Sequence, residues 1–196
     1  MNIEDKIKRI RKICENENFP IISKFTEDFL VRIIKEKKPG TVLEIGTAIG
    51  YSGSVILNSC GCNLTTIEIK EDSIKRAKEN FESLGFSGRY KIFSGDACDI
   101  VPKLTGKYDF IFLDGPKGQY SNFLPYLADC LNGSGILFCD NIYYHGIVKG
   151  GVVPVRRDRT IMNNMRKFIN DIKLYKNFNV EEFDCGDGLL IAQKVR

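Results

Sequence analysis

The chain has 196 residues, 43% hydrophobic and 28% charged, with a net charge of +4. That balance suits one soluble globular domain with a full core, and it excludes a strongly basic nucleic-acid coat. Charge is nevertheless uneven: residues 1–12 hold five basic and two acidic residues, and 143–173 hold seven basic and two acidic. No segment resembles a signal peptide, and none approaches the roughly 20 apolar residues of a membrane span. Seven cysteines without framework spacing predict reduced thiols in the cytoplasm. Cys60-Gly61-Cys62 is the close pair among them, and it suits a helix-to-strand turn.

Ile3, Ile7, Ile10 and Cys14 predict an amphipathic helix over 3–15. Phe25, Phe29, Leu30, Ile33 and Ile34 predict a second, stopped by Pro39-Gly40. Strand and helix then alternate: strand 41–45, helix 50–60, strand 64–69, helix 71–84, strand 90–93 and a short helix near 97–104. A strand at 108–113, a helix at 119–131 closed by Asn132-Gly133, and a strand at 135–139 follow. This rhythm implies right-handed crossovers and a parallel sheet in an α/β fold. After a helix marked by Ile161, Met165, Phe168, Ile169 and Ile172, strands at 178–183 and 188–194 are joined by Cys185-Gly186-Asp187-Gly188. Asp-Gly there signals a hairpin and one antiparallel strand. The whole reads as one domain, 1–196, with N-terminal helices over 1–38. Residues 143–158 form a long irregular loop of the kind that is usually functional.

Glu44-Ile45-Gly46-Thr47-Ala48-Ile49-Gly50 is a strand, turn and helix start. Gly46 and Gly50 let backbone approach a ligand closely, and Ala48 is nearly as small. Glu68 ends the next strand, where a carboxylate can accept ribose hydroxyls, and Asp96-Ala97 follows the third. The spacing is not that of the dinucleotide fingerprint, and an acid beside the first Gly disfavours a pyrophosphate. S-adenosylmethionine, with its ammonium, ribose and adenine, fits best; another nucleotide or a plain packing turn are the alternatives.

Asp114 and Asp140-Asn141 each follow an apolar run, Phe110–Leu113 and Ile136–Cys139. Buried strands would bring these oxygens to one sheet rim, with the Gly-rich turn opening at the same rim. The set suits Mg²⁺ or another hard divalent cation. Lys117, in Asp-Gly-Pro-Lys, is turned back toward that position, where a cation and partial desolvation would lower its pKa and make it a general base.

VLEIGTAIGYS, the acid of TTIEI, SGDA, FIFLDGPKGQY, ILFCDN and GDGLLIA together resemble the metal-dependent O-methyltransferases of the catechol and caffeoyl-coenzyme A type. The resemblance implies a Rossmann-like class I methyltransferase fold, with seven mostly parallel strands, one of them antiparallel, and helices on both faces. It implies S-adenosylmethionine contacts at Ile22, Glu44, Gly46, Ala48, Ser52, Glu68, Asp96, Ala97 and Asp114. The metal ligands would be Asp114, Asp140 and Asn141, Lys117 the base, and 143–158 an active-site loop. A homodimer is also expected. The LEIGTAIGYS loop, the KGQY turn and Arg159-Thr160-Ile161 look most like the bacterial branch that methylates 5-hydroxyuridine in tRNA to 5-methoxyuridine. Gly115-Pro116 and Tyr143-Tyr144-His145 depart from it. Basic residues on the first helix (Lys6, Lys8, Arg9, Arg11, Lys12) and around the loop (Arg156, Arg157, Arg159, Arg166, Lys167, Lys173) suit either solvated faces with a few ion pairs or a phosphate-contacting surface, and Tyr143 and Tyr144 suit either stacking on a base or packing of the loop or a dimer contact. A small catechol-like phenol is the alternative acceptor, and a non-catalytic S-adenosylmethionine-binding module the further one.

Overall fold

Runs of β-branched and aromatic residues form strands where both faces are covered. All seven expected strands are present in the computed structural model, which describes residues 2–156 and 158–195. In chain order the elements are α1 Ile3–Asn16, α2 Lys24–Lys37, β1 Thr41–Ile45, α3 Tyr51–Ser59, β2 Asn63–Glu68, α4 Glu71–Ser83, β3 Tyr90–Ser94 and α5 Ala97–Ile100. Then come β4 Tyr108–Leu113, α6 Tyr120–Cys130, β5 Leu131–Asp140, α7 Asp158–Leu174, β6 Phe178–Phe183 and β7 Leu189–Lys194. The seven-stranded mixed sheet has the order β3-β2-β1-β4-β5-β7-β6, with β7 antiparallel to β5 and β6. Among the described residues no helix is long and apolar enough to cross a membrane.

Contacts divide the chain into two compact units, Met1–Ile100 and Val101–Arg196, a division that the unbroken strand–helix rhythm does not announce. In the first unit, Asn2 caps α1 by accepting from the Asp5 N–H at 2.8 Å, and Ser23 caps α2 by accepting from that of Thr26 at 3.0 Å. Ile7, Ile10 and Cys14 face inward, while Ile3, the first residue of the expected stripe, is 39% exposed. Phe25, part of the expected stripe of α2, is 47% exposed; Thr26, Leu30 and Ile34 fill the buried face instead.

In the second unit β4 and β5 pair in parallel, from Phe110 opposite Ile136 to Leu113 opposite Cys139. Asn132-Gly133 does not close a helix as expected. α6 ends at Cys130, Leu131 is already extended, and the pairing register shifts between Tyr108 and Phe110. The Asn132 amide donates to Asp109 Oδ1 at 2.8 Å, so this turn-forming pair begins a strand with an irregularity. Between Asp140 and Asp158 the described residues form turns, as the composition of that loop predicts.

Gly53 shows how tightly α3 is seated. A Cβ added there would lie 2.8 Å from Phe81 Cζ, 3.0 Å from Leu64 Cδ2 and 3.1 Å from Glu44 Oε2. Gly53→Ala should therefore cost about 1–3 kcal/mol by overpacking. It would lower the urea midpoint with an unchanged slope; an unchanged midpoint would contradict this packing.

Candidate functional site

Glu44 lies at the end of β1, a strand covered on both faces, and is 0% exposed. Burial of a carboxylate demands partners, and they come from neighbouring hydroxyls. Ser52 Oγ donates to Oε1 at 2.5 Å and Thr66 Oγ1 to Oε2 at 2.7 Å, and the Thr47 hydroxyl lies 2.5 Å from that of Thr66. Glu44 and Ser52, both expected to meet a ligand, thus hold β1, β2 and the start of α3 together. Glu68 is engaged from above: Oε2 accepts from the Ala48 N–H at 2.8 Å, and Oε1 from those of Ile69 at 3.0 Å and Lys70 at 2.9 Å.

The turn between these acids needs unusual backbone. Gly46, Ala48 and Gly50 have φ of 102°, 45° and 84°. Ala48 adopts a left-handed conformation that its Cβ disfavours, and the Glu68 bond holds it there. At Gly50 a Cβ would lie 3.0 Å from Phe81, so this glycine makes room for that ring. Asp96 is exposed and caps α5 by accepting from the Cys98 N–H at 2.8 Å; Ala97 and Ile22 are buried.

The second unit brings Asp114, Lys117, Asp140 and Asn141 together at the adjacent ends of β4 and β5. The Lys117 ammonium donates to Asp114 Oδ1 at 2.9 Å, the Tyr120 hydroxyl at 2.9 Å and the Asp140 carbonyl at 2.8 Å. Tyr120 passes its own proton to the Leu113 carbonyl at 2.9 Å. Burial pulls the Lys117 pKa down, but the charge of Asp114 and the contact with Tyr120 outweigh it and the net shift is upward. This reverses the expected lowering: the nearest charge to Lys117 is an anion, and it stabilises the ammonium.

Asp140 is 2% exposed, and its Oδ1 accepts from the Asn141 N–H at 2.8 Å. Asn141 is left-handed at φ 52°, a conformation its amide tolerates better than most side chains. Among the described residues no group of three His, Cys, Asp or Glu side chains is placed to hold a metal. A cation here would draw on two carboxylates, the Asn141 amide oxygen and non-protein oxygens. Two acids against one lysine leave one negative charge, so the donor set fits a hard divalent ion that keeps part of its water.

The loop beyond Asn141 is anchored by residues that sequence reasoning did not assign. The Ile142 N–H donates to the Gly188 carbonyl at 3.1 Å and that of Tyr143 to the Asp187 carbonyl at 2.9 Å. The Asp187 carboxylate accepts from the backbone N–H of His145 at 2.7 Å and of Gly146 at 3.1 Å. Gly188, at φ +82°, is required because a Cβ would lie 2.3 Å from Tyr143 Cδ2. The signal in the sequence was Asp187-Gly188 itself, read as a hairpin and as part of the GDGLLIA motif, with no role given to the Asp187 side chain. Tyr143 is buried under this contact with the Lys149 ammonium 4.3 Å from its ring centre, so it packs the loop and is not free to stack on a base.

Several cations of the basic clusters are committed. Lys167 pairs with Asp171, Lys173 with Glu182, and Arg11 with Glu15 and Glu27; Arg166 Nε donates to the Val148 carbonyl at 2.9 Å, and Lys6 to that of Ser83 at 2.5 Å. Lys8, Arg9, Lys12, Arg156 and Arg159 are exposed and make no ion pair among the described residues. Arg157 lies outside the described residues.

A family model described as O-methyltransferase matches residues 4–195. Catechol O-methyltransferase of Bos taurus is 31% identical over 124 residues, 59% of this chain; the match spans 46% of that protein, about half its length. A Staphylococcus aureus structure, solved as a candidate caffeoyl-CoA O-methyltransferase, is 29% identical with a TM-score of 0.88, covering 96% of this chain and 91% of that one. The SAH-bound methyltransferase PaMTH1 of Podospora anserina shares the fold, with a TM-score of 0.84 at 22% identity, covering 99% of this chain and 88% of that one.

Asp187→Ala should free two backbone N–H groups and loosen 142–150 while sparing the strands. Limited proteolysis should cut this loop faster than in the parent, with a stability loss of only about 1–3 kcal/mol. Equal cleavage rates would show that Asp187 does not hold it.

Proposed function

The chain belongs to the O-methyltransferase family, and from that premise we propose that it transfers a methyl group from S-adenosylmethionine to one of two adjacent oxygens on a ring, with Mg²⁺ bound. The observation that carries this reading is the pair Asp114 and Asp140 beside Asn141, with the Lys117 ammonium between them. Asp114, Asp140 and Asn141 would hold the metal. Glu44, Gly46, Ala48, Ser52, Glu68, Asp96, Ala97 and Asp114 would hold the cofactor, with Ile22 near its methionine part. When bound, the cofactor supplies an electrophilic methyl group, and the metal supplies a chelate that favours deprotonated neighbouring oxygens.

The remaining work falls to the chain. Lys117, an ammonium with all three N–H groups engaged, takes no proton as it stands; it would serve as the base only after losing one, which a bound cation drawing on the charge of Asp114 would favour. Asp187 and Gly188 fix the backbone beyond Asn141. Burial of Asp140 keeps its carboxylate in one orientation, which matters because a misplaced reactant loses most of the advantage of proximity.

For the acceptor, the preferred reading is 5-hydroxyuridine in tRNA, whose new hydroxyl and 4-carbonyl offer the required bite. The exposed Lys8, Arg9, Lys12, Arg156 and Arg159, which make no ion pair among the described residues, support it as phosphate contacts. The resemblance to a catechol O-methyltransferase favours a small phenol as the second reading.

Asp140→Ala should reduce methyl transfer at least about a hundredfold, since even outer-shell changes at metal sites cost 10- to 100-fold. Mg²⁺ should raise the melting temperature of the parent and not of the variant. Full activity of the variant without added metal would refute chelation. Nucleoside mass spectrometry after incubation with tRNA containing 5-hydroxyuridine should show conversion to 5-methoxyuridine. Turnover of catechol with none of the tRNA would select the second reading.

A further inference from the structure

One side of α7 closes on the turn that carries Lys117. At helical spacing, Ile161, Asn164, Met165 and Phe168 share that side. Phe168 meets the Tyr120 ring edge-on, with centroids 5.3 Å apart, and Ile161 Cγ1 lies 3.8 Å from where a Cβ of Gly118 would be. Asn164 is the polar residue between these contacts. Its Nδ2 donates to the Gly118 carbonyl at 2.8 Å, and Ser121 Oγ donates in return to the Asn164 carbonyl at 3.1 Å. The neighbouring Asn163 is exposed.

The turn is short and open to adjustment. Lys117–Gln119 is a single 3₁₀ turn, closed by the Gln119 N–H on the Pro116 carbonyl at 2.8 Å. Gly118, at its centre, is the residue type with the widest backbone freedom. The Lys117 ammonium must nevertheless meet Asp114, Tyr120 and the Asp140 carbonyl at once. We propose that Asn164 is a positioning residue for methyl transfer: by holding the Gly118 carbonyl, it sets where the Lys117 nitrogen stands between Asp114 and Asp140. This rests on the reading of Asp114, Lys117 and Asp140 as the reacting site.

The position requires an amide. A carbonyl accepts, so its partner must donate, and an apolar side chain of the same branched outline cannot. Asn164→Leu therefore removes the bond while filling similar space and adding no charge. Asn164→Gln keeps the donor on a longer arm. Asn164 bonds the backbone one residue beyond Lys117, so its effect falls on placement rather than on bond making.

The full chain carries each variant, with Asn163→Ala as the exposed neighbour's control. Methyl transfer is measured with S-adenosylmethionine, Mg²⁺ and, in separate assays, catechol and tRNA containing 5-hydroxyuridine. Asn164→Leu should lower kcat about tenfold or more, with KM for S-adenosylmethionine unchanged within about twofold, because a small misplacement of a reacting group costs up to about a hundredfold. Asn164→Gln should regain most of the parent kcat, and Asn163→Ala should match the parent. Hydrogen exchange in the peptide containing Gly118 and Gln119, read by mass spectrometry, should be about fivefold faster in Asn164→Leu, the weight of one ordinary hydrogen bond. The melting temperature should fall by no more than about 4 °C. Exchange at the parent rate in Asn164→Leu would overturn the proposal. Lys117→Met separates it from the reading beneath it. Full activity of that variant would overturn the reading and the proposal together, whereas its inactivity beside a parent kcat in Asn164→Leu would overturn the proposal alone. If the parent turns over neither acceptor, the acceptor reading fails, and faster exchange still supports the hold of Asn164 on the turn while unchanged exchange overturns it.

Discussion

A lysine taken out of water must be met by acceptors of fixed geometry, and the second unit is arranged around that requirement at Lys117. Its three N–H donors are all used, on Asp114, Tyr120 and the Asp140 carbonyl. The contact to Tyr120 ties the start of α6 to the end of β4, because the same hydroxyl donates to Leu113. The contact to the Asp140 backbone fixes where β5 ends. Removing the ammonium would leave a carboxylate and a carbonyl facing each other, so the acids at the strand ends and the lysine between them form one electrostatic unit.

The first unit solves the mirror-image problem. Glu44 is a buried carboxyl group, met by hydroxyls from α3 and β2, and Glu68 collects backbone N–H groups from the turn and from the entry to α4. Both acids stabilise a turn in which Ala48 is left-handed. The strain is local and the compensation comes from side chains twenty or more residues away, which is how a short loop is held in a conformation its own sequence does not favour.

Much of this was legible from periodicity and turn chemistry. Apolar runs located the strands, the Asp-Gly hairpin gave the antiparallel β7, and the three-residue spacing of Asp114 and Lys117 foretold their contact. What stayed hidden depends on partners distant in sequence. Nothing local to Glu44 reveals that Ser52 and Thr66 donate to its oxygens. Gly50 was read as a point of ligand approach, and nothing local reveals that Phe81 lies against both it and Gly53. Asp187 looked like a hairpin residue, but its carboxylate holds backbone more than forty residues earlier. Asn132-Gly133 misled for another reason: turn-forming residues mark a change of direction without saying whether a helix closes or a strand opens irregularly.

Glu68 links the two roles of the first unit. An ionised carboxylate has about four lone-pair sites. Three are taken: Oε1 by Ile69 and Lys70, and one site of Oε2 by Ala48. A ribose diol, were it to meet Glu68 as proposed, would offer two donors to one free site. Its binding would therefore exchange an existing bond, and the one to Ala48 costs least to give up, because releasing it also relieves a left-handed alanine. The same hydrogen bond that shapes the loop without ligand would then yield to the ligand, which couples occupancy of the ribose position to the conformation of the turn between β1 and α3.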